Sequence, residues 1–181
     1  SATILDLETF LSSLGITRDQ AEFIRIESDF PPKNRPLLQR PVGKLTRMHL
    51  NRTLPYLVNE IENLCDSHPN DKGVIHAHSY RIAQHIADNL PRSLNWRLLT
   101  HSGPEGREAT LDKHLNSSEP TVLLTPSMTE GIDLFDHLAR WQVICKIPYP
   151  YLGDPQVARR KELDPDWYQW RTCLTMVQAY G

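Results

Sequence analysis

Cysteine is scarce. The three present, Cys65, Cys145 and Cys173, are odd in number and far apart, which excludes a disulfide framework and any C-x-x-C metal knuckle. A reducing, cytoplasmic setting is the expectation. Long apolar runs are also missing: none approaches the roughly 20 residues that span a bilayer, and the N-terminal residues lack the basic, apolar, small-residue grammar of a signal peptide. No membrane partner is expected. The only Gly-Lys pair, Gly43-Lys44, is followed by Leu45 and lacks the upstream glycine of a phosphate loop, and there is no Asp-Glu dipeptide to serve as an acidic Mg-binding box. ATP is therefore not expected to be held by this chain unaided. With no G-x-S-x-G elbow, nucleophilic hydrolase chemistry is excluded as well.

Net charge is nearly absent. Lys plus Arg number 20 against 22 Asp plus Glu, a formal charge of −2, and the pI is about 6.4. A generally polybasic protein is excluded, so any nucleic-acid contact must be local. One stretch answers to that description: residues 30–59 contain no acid, while Lys33, Arg35, Arg40, Lys44, Arg47 and Arg52 are basic.

A chain of 181 residues, 39% hydrophobic, is long enough for one sizeable core. Residues 7–14 read as a short helix ended by Gly15, followed by a short extended stretch through Phe23, Ile24 and Ile26. Leu54, Leu57, Val58, Ile61 and Leu64 recur at helical spacing to about Ser67. Gly73-Val74-Ile75-His76-Ala77 reads as a strand, and Ile82, Ala83, Ile86, Ala87 and Leu90 as a second amphipathic helix stopped by Pro91. The unit repeats: Arg97-Leu98-Leu99-Thr100 precedes a polar helix over about 105–115. Thr121-Val122-Leu123-Leu124 has the length and apolarity of a strand buried on both faces. Residues 141–147 are a further strand candidate, and Trp167, Trp170, Leu174 and Val177 mark a closing helix. Strands alternating with helices predict an α/β domain with a mainly parallel sheet. Function is then to be sought in the loops after Ala77, Thr100, Leu124 and Ile147, beyond the carboxyl ends of the strands.

Two of these loops carry polar groups suited to phosphate and ribose. In Thr125-Pro126-Ser127-Met128-Thr129-Glu130-Gly131-Ile132-Asp133-Leu134, hydroxyls and free amides can donate to phosphate, Gly131 permits close backbone approach, and Asp133 can accept from a ribose hydroxyl. Taken alone, the loop reads first as an ordinary turn with a helix cap. In His78-Ser79-Tyr80-Arg81, Ser79 suits a helix N-cap, and the same helix start can receive a phosphate flanked by Tyr80 or Arg81. His76, His78, His85 and His101 have no carboxylate or cysteine at ligand spacing, so no metal site is expected.

Taken in order, these strings resemble the motifs of the DinG and XPD group of superfamily 2 DNA helicases. Ser1-Ala2-Thr3 is similar to motif III, which couples the ATP and nucleic-acid sites. Val74 to Tyr80 resembles motif IV, with His76 and His78 where the group usually carries bulky apolar or aromatic residues. Thr129-Glu130-Gly131-Ile132-Asp133 resembles motif V. Ile147-Pro148-Tyr149-Pro150, with Asp154-Pro155 and Arg159, is similar to the stretch that follows it, and Gln178-Ala179-Tyr180-Gly181 to the start of motif VI.

The resemblance implies a RecA-like three-layer domain, the second motor domain of such a helicase, over residues 1–181. Residues 1–50 would be a lead-in from motif III and 51–181 the main α/β body, with both chain ends expected to be cuts. It implies ATP and Mg bound jointly with an absent first RecA-like domain of the same polypeptide, single-stranded or forked DNA as partner, and a monomer. Asp133, Gln178 and Gly181 would be catalytic, with Gly131, Asp133 and Gln178 facing nucleotide. Ser79, Tyr80, Arg81, Thr125, Thr129 and Glu130 would face DNA, and Ser1, Ala2 and Thr3 would couple the two. The competing expectations are a non-catalytic Rossmann-like nucleotide or nucleic-acid binding module, and the motor of a helicase-nuclease fusion.

Overall fold

The computed structural model describes residues 3–27, 29, 31–34, 36–127, 132 and 134–180. The helices and strands are α1 (Leu7–Leu14), α2 (Leu50–Ser67), β1 (Gly73–His76), α3 (Tyr80–Asn89), α4 (Arg92–Asn95), β2 (Leu98–Thr100), α5 (Arg107–Asn116), β3 (Val122–Thr125), β4 (Trp141–Ile144), α6 (Pro155–Leu163) and α7 (Pro165–Tyr180). They fall into two compact units, one of residues 1–41 with 149–174 and one of residues 42–148 with 175–181.

The second unit holds the sheet. Its four strands are all parallel, in the order β2-β3-β1-β4. Alternation along each strand decides which residue meets which layer. Ile75 of β1 and Val122 and Leu124 of β3 pack against Leu54, Leu57, Val58 and Ile61 of α2 and Ile82, Ala83 and Ile86 of α3. Val74 and Leu123 face the other way, toward Leu111 of α5 and toward Ile132, Leu134 and Ala139. Helices on one face, sheet, and a helix on the opposite face make the three-layer α/β arrangement expected from the alternating pattern. At about 1.5–3 kcal/mol for each fully buried aliphatic side chain, these two faces supply most of the unit's stability.

Gly73 is required by its neighbour. It pairs across the ladder with Trp141, and a Cβ at Gly73 would collide with the Trp141 ring. The His68 ring stacks on the same indole, with ring centroids 5.9 Å apart.

In the first unit, Asp6 caps α1 by accepting from the Thr9 amide, and Gly15 ends it in the left-handed region at φ 70°. The Trp170 indole N–H donates to the Ile4 carbonyl at 2.8 Å, and the Phe10 ring meets Trp170 at 6.5 Å. Tyr168 donates its hydroxyl to the Pro150 carbonyl and stacks on Tyr149.

Several sequence expectations are refined. Phe23, Ile24 and Ile26 lie in no helix or strand and stand exposed, so the apolar run there has no described partner to bury it. The strand expected over 141–147 stops at Ile144, and the helix expected over 105–115 begins as a 3-10 turn at Pro104–Gly106 before α5. Helix α6 was not anticipated: it buries no residue, so it has no apolar stripe to read.

Candidate functional site

The connections leaving β1 and β3 define the site. These strands are neighbours, yet the chain leaves β1 through α3 toward β2, on the Ile75 face, and leaves β3 toward β4 with Ile132 and Leu134 packed on the Val74 and Leu123 face. Connections departing on opposite faces leave a crevice between the two carboxyl ends, the place where open parallel sheets bind ligands. Ala77, His78 and Ser79 follow β1 there and Thr125, Pro126 and Ser127 close and follow β3, with the Ala77 amide donating to the Thr125 carbonyl at 2.9 Å.

Ser79 begins α3. Its backbone is extended and its hydroxyl accepts from the Ile82 amide at 3.5 Å, a long cap that leaves the helix start accessible to a stronger acceptor. Tyr80 is 46% exposed and is braced edge-on by His101, with ring centroids 6.4 Å apart. His101 is itself fixed by the Gly103 carbonyl at 2.9 Å. Arg81 donates to the Asn51 side-chain carbonyl at 2.7 Å. A neutral amide steers the guanidinium without cancelling its charge, which stays available to a phosphate. A groove of about 360 Å3 runs beside these residues, bordered by Tyr80, Arg81, Gln84, Thr100, His101 and Ser102.

Thr125 is buried at the end of β3, and its hydroxyl accepts from the Ser127 amide at 3.3 Å. Four of the sequence-predicted residues, Ser79, Tyr80, Arg81 and Thr125, therefore lie at the carboxyl edge of one sheet. Gln178 lies near the end of α7, and its side-chain oxygen is buried with no hydrogen-bond partner among the described residues. An orphaned acceptor of this kind is suited to a donor that arrives from outside the chain. Ser1, Ala2, Thr129, Glu130, Gly131, Asp133 and Gly181 lie outside the described residues. Thr3 belongs to the first unit.

His78, Asn51 and His101 were not singled out as site residues by sequence. His78 takes a left-handed conformation, φ 49°, and stacks on His76 with centroids 6.0 Å apart. Its Nε2 is buried without a partner among the described residues. Burial, with His76 and Lys146 nearby, pushes its pKa from 6.5 down to about 4, so the ring is neutral at pH 7. Among the described residues no group of three or more His, Cys, Asp or Glu side chains could hold a metal ion.

The pH dependence of stability follows from His78. Below about pH 6.5 the unfolded chain takes up a proton that the native ring refuses until about pH 4, so stability falls with pH across that window and levels off beneath it. The loss attributable to this residue is expected to be about 2 kcal/mol after allowance for partial exposure. His78→Asn tolerates the left-handed backbone and cannot titrate. Urea midpoints at pH 7 and pH 4.5 should converge more in His78→Asn than in the parent, and equal losses in both proteins would dismiss His78 as the source.

A four-stranded all-parallel sheet flanked by helices is the architecture of a RecA-like α/β domain. Comparison with known families takes this further: the helicase C-terminal domain family matches residues 61–181, and the chain belongs to that family, the C-terminal domain of helicases of the DinG and XPD type. No curated protein matches the chain. Membership makes it a helicase-type motor domain, in a family associated with nucleotide and nucleic-acid binding.

Proposed function

We propose that the chain is the second motor domain of an ATP-dependent DNA helicase. It closes on a first RecA-like domain with ATP and its Mg2+ between them, and couples ATP hydrolysis to movement along single-stranded DNA. The observation that carries this reading is the switch-point crevice of a helicase-family sheet, which gathers Ser79, Tyr80, Arg81 and Thr125 at one edge.

In this reading the α3 start and Arg81 hold a DNA phosphate, Tyr80 offers a ring face to a base, and Thr125 sets the height of the strand end beneath them. Gln178, with Gly131 and Asp133, faces the nucleotide, and its unpartnered oxygen accepts a hydrogen bond once the cleft is closed. The phosphates of ATP are held mainly by the first domain, because positioning and charge stabilisation of phosphoryl transfer need a phosphate loop that residues 1–181 do not contain.

ATP turnover measured with and without single-stranded DNA, on this chain alone and on the chain linked to a phosphate-loop domain of the same group, tests the proposal. DNA-stimulated turnover by the linked protein and none by the isolated chain is the expected result. Equal turnover by the isolated chain would refute the half-motor reading, since it would demand a complete nucleotide site within these residues.

A further inference from the structure

A second cationic feature lies away from the crevice, in the acid-free part of the sequence. Residues 42–49 run alongside the first turns of α2 and leave a groove of about 320 Å3 whose walls carry Lys44, His49, Arg52 and Tyr56. The segment is pinned rather than loose. The Thr53 hydroxyl donates to the Lys44 carbonyl at 2.8 Å, and Gly43, at φ 133°, sits so close over Thr53 that an added Cβ would meet its methyl at 3.2 Å. Arg52 and Tyr56 are four residues apart on α2 and so share one face of the helix. Lys44 and Arg52 are exposed, and among the described residues neither has a carboxylate partner. Tyr56 is 59% exposed beside them.

A fixed groove with two unpaired cations and an exposed aromatic ring has the chemistry of a single-strand track: charges for the backbone, a ring face for a base. An acidic peptide would use the cations but has no need of the ring. The groove is also tied to the crevice. Asn51, next to Arg52 on α2, accepts the hydrogen bond from Arg81 at the start of α3.

Resting on the helicase reading above, we propose that this groove is a second contact for single-stranded nucleic acid. Phosphates are held at Lys44 and Arg52, and a base stacks on Tyr56.

The test is binding of a fluorescein-labelled oligothymidine to the 181-residue chain, followed by anisotropy across a salt titration, with each variant checked for parental circular dichroism. Lys44→Ala combined with Arg52→Ala should flatten the salt slope by about 1.4, two phosphates at about 0.7 each for a single strand. Tyr56→Ala should weaken binding about tenfold while Tyr56→Phe keeps it. Arg92→Ala, an exposed charge on α4, should change neither. If the groove variants match Arg92→Ala while Arg81→Ala still weakens binding, the groove proposal falls and the crevice reading stands. Displacement by polyglutamate as effective as by unlabelled oligothymidine would also overturn it. Absence of oligothymidine binding by the parent at low salt would overturn both.

Discussion

Arg97→Ala is expected to cost about 3–5 kcal/mol of stability, a large share of the roughly 5–15 kcal/mol that holds a domain of ordinary size. Arg97 precedes β2 and is almost fully buried, at 2% exposure. Among the described residues its guanidinium meets no carboxylate. Instead it donates to four backbone carbonyls: Pro120 at 2.7 Å, Cys65 at 3.0 Å, His68 at 2.9 Å and Asp71 at 2.8 Å. Two of these belong to the last turn and cap of α2, where unsatisfied carbonyls concentrate negative partial charge. The cation therefore closes α2, the turn into β1 and the turn into β3 at a single point.

Truncation strands those carbonyls at about 1–3 kcal/mol for each that water cannot reach. Arg97→Lys should recover only part of the loss, because an ammonium cannot span the four acceptors. Urea unfolding gives the answer directly. Arg92→Ala should lie within about 0.5 kcal/mol of the parent, and an Arg97→Ala midpoint as close as that would show that the carbonyls find other partners.

The second large effect concerns turnover rather than stability. In the chain linked to a phosphate-loop domain, as the proposed function requires, Asp133→Ala is expected to reduce DNA-stimulated ATP turnover about 100-fold, equivalent to roughly 2.7 kcal/mol of barrier. Ile132 and Leu134, the neighbours of Asp133 in sequence, pack with Val74 and Leu123, and a carboxylate is a poor core residue. Urea midpoints of mutant and parent should accordingly agree. Unchanged turnover would remove Asp133 from the nucleotide site. A parallel fall in turnover and midpoint would make its role structural.

How far the sequence discloses this arrangement depends on how local each signal is. β1 and β3 were legible because strands buried on both faces are written as continuous apolar runs, and α2 and α3 because each has one apolar face. The α6 helix was illegible by periodicity, although Asp154 accepting from the Gln156 amide and Pro155 at the first position are a start signal that could have been read. Phe23, Ile24 and Ile26 misled for the converse reason: apolar residues were present without a partner to bury them.

At the candidate site, Ser79, Tyr80 and Arg81 could be singled out in the sequence because they follow a strand directly. Arg97 and Asn51 were not, since their roles arise from carbonyls and a guanidinium distant in sequence. The groove at Lys44 and Tyr56 lay between: the lack of acids over residues 30–59 marked the region, and only the fold shows which cations share a wall.

The strand order β2-β3-β1-β4 has a consequence for how the protein comes into being on the ribosome. β1 and β2 emerge early but are not neighbours. Gly73 must wait for Val122 on one side and Trp141 on the other. β3 is the strand that joins both halves, so no sheet hydrogen bond can form before it has been made. Until then Val74 and Ile75 are an unprotected apolar edge in a nascent chain, the kind of surface that invites association with other chains. Because these pairings are long-range and parallel, the sheet should form late and in one cooperative step. Stalled translation between β1 and β3 would then leave a product that holds its helices but is open to aggregation and proteolysis.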